Sequence, residues 1–84
     1  MKIYYITFRS VTFAQRAEKV LTAREIRCSL QRTPRWMEEK GCGYCLRLQQ
    51  DRIREAVQTL RASQVPFRKV YRQDETGTVE ELVL

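Results

Sequence analysis

Ile26-Arg27-Cys28-Ser29-Leu30-Gln31-Arg32-Thr33-Pro34 and, after one connection, Gly43-Tyr44-Cys45-Leu46-Arg47-Leu48 are the stretches that decide the fold. In the first, Ile26, Cys28 and Leu30 alternate with polar neighbours, the period of a strand with one wet face, and this predicts Cys28 pointing into the core. Thr33-Pro34 ends that strand, because proline lacks an N–H for the ladder and restricts the residue before it. In the second, Tyr44, Leu46 and Leu48 alternate with Cys45 and Arg47, a strand able to pair with the one before it. Two successive strands in mid-chain set the order of everything around them.

Working outward, residues 2–8 place Tyr4, Ile6 and Phe8 in alternation with Ile3, Tyr5 and Thr7, which predicts a first strand. Phe13, Ala14, Ala17, Val20 and Leu21 then recur at helical spacing, with Ser10 or Thr12 as cap, so a helix is expected to end near Arg24. Past the central strands, Asp51 is the expected cap of a second helix, whose stripe is Ile53, Ala56, Val57 and Leu60 and whose end lies near Ser63. Residues 65–71 read as a strand, with Pro66 at its start or on an edge. The resulting order, β-α-β-β-α-β, is α+β: a ferredoxin-like split β-α-β sandwich, one antiparallel sheet with two helices on one face and the other face open. Residues 1–73 are expected to form this domain, and residues 74–84 either a tail or an extra strand after the turn at Asp74-Glu75-Thr76-Gly77.

The 84-residue chain is 43% hydrophobic and 31% charged, which is globular composition with room for one core. No apolar run approaches the roughly 20 residues of a membrane span. With no apolar leader at the N-terminus, a cytoplasmic location is expected. A formal charge of +6 favours anionic partners. Three cysteines, an odd number, argue for thiols over structural bridges.

One thiol stands apart. Cys42 lies between Gly41 and Gly43, in a connection that also holds Arg35, Trp36, Met37, Glu38, Glu39 and Lys40. Flanking glycines remove Cβ obstruction and permit close approach to sulfur. Cationic neighbours such as Arg35 and Lys40 favour the thiolate, the form that attacks, while Glu38 and Glu39 oppose it. The plainer reading is a tight turn with an incidental cysteine. Cys42 and Cys45 also form a Cys-x-x-Cys, but structural zinc wants four ligands and the chain has no histidine. A thioredoxin-like pair would sit where a helix begins after a strand, whereas Cys45 lies within a strand. Cys45 reads either as a resolving thiol or as a small residue on the sheet's open face. Without histidine there is no Ser-His or Cys-His pair, and no phosphate-binding glycine loop occurs, so a self-contained enzyme is not expected.

Thr33-Pro34-Arg35, then Cys42-Gly43 and the strand from Tyr44, together with the opening Tyr5-Ile6-Thr7-Phe8-Arg9-Ser10 and Ala17-Glu18 of the first helix, resemble the selenium/sulfur carrier protein-like family over about residues 2–72. In that family a Pro-Arg pair leads through a serine-rich segment to Cys-Gly. The resemblance implies that Cys42 carries sulfur or selenium as a persulfide or its selenium analogue, with no other cofactor and no metal. It further implies donor and acceptor proteins as partners. Here Trp36 to Gly41 replace the small hydroxyl residues, and Cys45 is added. Two other readings stand beside it: a basic module that stacks nucleic-acid bases on the open sheet face through Tyr4 or Tyr5, and a small-ligand or dimerisation domain that pairs through that face. The stretch Tyr44-Cys45-Leu46-Arg47-Leu48 lacks the aromatic pattern of an RNA-recognition strand.

Overall fold

The computed structural model describes residues 2–34, 43–49 and 51–84. Its elements are β1 (Ile3–Thr7), α1 (Val11–Ala23), β2 (Ser29–Arg32), β3 (Tyr44–Leu48), α2 (Ile53–Ala62), β4 (Val70–Gln73) and β5 (Val79–Leu82). The five strands form one sheet in the order β2-β3-β1-β4-β5, and every neighbouring pair is antiparallel. Each helix therefore links two strands separated by a third, which is the split β-α-β arrangement of the ferredoxin-like fold.

Alternation explains the two faces of the sheet. Tyr4, Ile6, Phe8, Leu46, Leu48 and Val70 join Ala14, Ala17 and Leu21 of α1 and Ile53, Ala56, Val57 and Leu60 of α2 in the main core. On the opposite face, Tyr5 and Cys45 form a second small cluster, with Ile3 and Tyr71 packed against them.

Ser10 caps α1, its hydroxyl accepting from the Phe13 N–H at 3.3 Å. Both helices then end in the same way. Ile26 N–H donates to Leu21 O and Glu25 N–H to Thr22 O; Val65 N–H donates to Leu60 O and Gln64 N–H to Arg61 O. These are paired Schellman motifs, in which Glu25 (φ 59°) and Gln64 (φ 57°) take the left-handed position that usually belongs to glycine. The following apolar residues, Ile26 and Val65, are buried against the helices they close.

That motif corrects two expected strand starts. Ile26 is spent on the turn, so the ladder opens at Ser29, opposite Arg47, and not at residue 26. Val65 is spent likewise and Pro66 has no N–H, so the fourth strand is Val70–Gln73 and not residues 65–71. Pairing with β1 does reach back to Arg68, whose N–H donates to Thr7 O at 2.8 Å. Asp51 does not cap α2. The capping position belongs to Arg52, without a side-chain cap bond, and Asp51 accepts from the Tyr4 hydroxyl at 2.9 Å. After β4, Asp74 accepts from the Thr76 and Thr78 N–H groups, Gly77 takes φ 88°, and the chain returns as β5.

Candidate functional site

The strand register brings one end of the sheet together from four segments. Thr7 of β1 pairs with Cys45 of β3, and Arg32 of β2 with Tyr44. Thr33 N–H donates to Gly43 O at 2.8 Å, extending the β2–β3 ladder by one step, while Thr7 exchanges bonds with Arg68 and Lys69 on the other side. Gly43, the residue that follows Cys42 in the chain, thus lies at the end where β1 finishes, α1 begins, α2 finishes and β4 begins.

Of the residues singled out by sequence, Arg35, Lys40, Gly41 and Cys42 lie outside the described residues, as do Trp36, Met37, Glu38 and Glu39. Gly43 is exposed, and a Cβ built on it would meet nothing within 4 Å. Its φ is not in the left-handed range, which among the described glycines is used by Gly77. Open space, and not backbone freedom, is what Gly43 contributes. Beside it the Thr33 hydroxyl is buried without a hydrogen-bond partner among the described residues.

The other two thiols are sharply different from a reactive one. Cys45 is fully buried on the open face, in the cluster with Tyr5. Cys28 is half-buried against the main core, and burial, reinforced by the charge of Glu18, pushes its pKa up to about 11 although Thr22 offsets part of the rise. Neither is in a disulfide. Tyr5, a candidate stacking ring, is 7% exposed, and Tyr4 belongs to the core on the helix side. Burial, and then its bond to Asp51, raise the Tyr4 pKa. Among the described residues no three of Cys, Asp and Glu converge as a metal site, and no helix is long and apolar enough to cross a membrane.

Two features of this end escaped sequence reasoning. Adjoining cavities of ≈ 650 Å³ and ≈ 200 Å³ share Pro66, Phe67 and Arg68, the first reaching Arg61 and the second Arg9 and Phe13. The Arg61 guanidinium lies over the Phe67 ring, 5.7 Å from its centroid, and Arg32 lies over Tyr44 at the same distance. These arginines come from element ends that are far apart in sequence, so only the topology groups them.

The model of a family described as "Putative Se/S carrier protein-like" matches residues 3–72, the whole of the chain from β1 into β4. No curated protein and no solved structure matches the chain.

Proposed function

The chain belongs to the Se/S carrier protein-like family, and from that premise we propose that it holds a transferable sulfur atom, or its selenium counterpart, on Cys42. The observation that carries the reading is the state of the other two thiols. A carrier needs an accessible thiolate. Cys45 has no exposed surface, and burial pushes the Cys28 pKa up to about 11, which disfavours its thiolate. That leaves Cys42, whose chain neighbour Gly43 is exposed in open space.

In the proposed step the Cys42 thiolate attacks the outer sulfur, or selenium, of a persulfide or perselenide on a donor protein. One bond to that atom forms as the donor's own breaks, the donor cysteine leaves as thiolate, and no external oxidant or reductant is consumed. Delivery to an acceptor is the same exchange in the forward direction. Arg35 and Lys40 are assigned to stabilising the anion, and Gly41 and Gly43 to keeping the approach unobstructed. Cys45 would have to leave its place beneath Tyr5 to act as a resolving thiol, so the proposal does not use it. Base stacking on the open sheet face has less support, because its central ring, Tyr5, is almost wholly covered.

Intact-protein mass spectrometry after incubation with a cysteine desulfurase and cysteine tests the reading. Wild type and Cys28→Ser should each gain one sulfur atom, and Cys42→Ser none. Equal loading of Cys42→Ser would sink it.

A further inference from the structure

The fifth strand gives the molecule a cleft that the helix layer does not close. α1 packs on β2, on β3 and against α2, which leaves α2 the side of β1 and β4. Packed helices lie about 8–10 Å apart and strands about 4.8 Å apart, so two helices cover about four strands. β5 is the fifth, and its Leu82, like Leu84 after it, reaches the core but is only partly buried. Alongside them and the start of α2 lies a cavity of ≈ 560 Å³, within the roughly 300–1,000 Å³ of small-molecule sites.

Some of the charges lining this cavity are spent on the fold. Arg52 is bonded to Glu55 and to Glu25 O, and Arg72 pairs with Glu80. Others are not. Lys2 and Arg54 are exposed, and neither side chain has an ion pair or hydrogen bond with a described residue. Asp51 is held through one oxygen, Oδ1, which accepts from the Tyr4 hydroxyl at 2.9 Å; among the described residues its other oxygen has no partner. Because the Tyr4 ring is only 3% exposed, that bond anchors the carboxylate to the core. One carboxylate and two cations thus line a single cavity without being paired to one another. Ile53, Leu82 and Leu84 supply its apolar surface.

We propose that this cleft binds a free α-amino acid with an aliphatic side chain, its ammonium on Asp51, its carboxylate on Arg54 and Lys2, and its side chain against Leu82 and Leu84. A simple organic anion would meet the charge of Asp51 and a simple amine the charges of Arg54 and Lys2, whereas a zwitterion complements both. Guanidinium and carboxylate match in a planar, two-bond geometry. The strand register fits the length of such a ligand. Tyr4 is level with Arg72, and Leu82 with Val70, two positions along. Two strand positions span about 7 Å, short enough for one amino acid to reach from the polar end of the cleft to the apolar one. Lys2, Leu82 and Leu84 lie outside the family's span of residues 3–72, so this site belongs to the chain's own additions and is independent of the carrier reading.

The probe is L-leucine, titrated onto the full chain and mapped by amide chemical shifts. Saturable shifts should centre on Tyr4, Arg54 and Leu82. Glycine, which lacks the side chain, and 4-methylpentanoate and 3-methylbutylamine, which each lack one charge, should all bind roughly tenfold more weakly. Arg54→Gln should weaken leucine binding by a similar factor, and so should Asp51→Asn, which keeps an acceptor for the Tyr4 hydroxyl. Arg16→Gln, a cation removed from the exposed face of α1, should leave it unchanged. Binding of 4-methylpentanoate as tight as that of leucine, shifts centred on Phe13 and Phe67, equal weakening by Arg16→Gln, or no saturation at all would each overturn the inference. The titration reads the cleft and mass spectrometry reads Cys42, so either idea can fail without the other.

Discussion

The two ends of the sheet are built on different physics. At the end away from Gly43, polar groups are matched to one another. The Tyr4 hydroxyl bonds Asp51, Arg52 grips Glu55 through two bonds of 3.0 and 2.7 Å and reaches Glu25 O at 2.8 Å, and Arg72 pairs with Glu80. At the Gly43 end, packing carries the structure. Phe8 is 1% exposed, and Phe13 and Phe67 lie against the same core, while the arginines stand at the rim. A cation matched to a carboxylate is committed to the fold. At the Gly43 end Arg61 lies over the Phe67 ring and donates to Leu84 O, and Lys69 pairs with Glu81 of β5.

The contrast is easiest to break with Phe8→Ala. If packing holds the Gly43 end, chemical denaturation should show a loss of roughly 4 kcal/mol, insensitive to salt; a loss below about 1 kcal/mol would mean that something else holds that end. A smaller and opposite effect sharpens it. Glu25→Gly and Gln64→Gly relieve left-handed side-chain strain at the far end and the Gly43 end respectively, and each should stabilise by about 0.5–1 kcal/mol. Equal gains would show that the ends differ in charge and packing but not in backbone strain. Unequal gains would place part of the difference in the turns. The smallest effect belongs to Arg52→Ala, whose loss should be slight and should vanish near 1 M NaCl, where screening acts over about 3 Å. The bond from Arg52 holds the Glu55 carboxyl below the usual carboxylate range. A group lowered on folding stabilises above its unfolded pKa, so this contribution is present at neutral pH and fades as pH falls through the depressed value. A stability difference between wild type and Arg52→Ala that persists in acid would contradict the pairing.

Periodicity made most of the fold legible. Ile6, Leu46 and Leu48 alternate, Ala14, Ala17 and Leu21 recur at helical spacing, and Ser10 announces a helix start. The errors cluster where one residue satisfies two patterns. Ile26 and Val65 continue the apolar alternation of the strands that follow, yet each serves as the apolar residue that closes a helix. Asp51 has the chemistry of a cap but is held by a tyrosine 47 positions away in sequence. The candidate site was legible only as a thiol between glycines. The cavities beside it were not, because Arg9 follows β1, Arg61 lies in the last turn of α2 and Arg68 precedes β4, and they meet through strand order, which no local window encodes.

Beyond the family's span of residues 3–72, β5 has a role that its four residues make easy to overlook. A sheet border exposes unpaired backbone groups and invites other chains to add on. Val79–Leu82 occupies the border that β4 would otherwise present, and it places Glu80 and Glu81 side by side on the new one. A second copy approaching that border finds only a four-residue strand whose carboxylates are already held, Glu80 by Arg72 and Glu81 by Lys69. Self-association by sheet growth is thereby discouraged at one border, and any such growth is directed to the other, the short β2 with its polar Ser29 and Gln31.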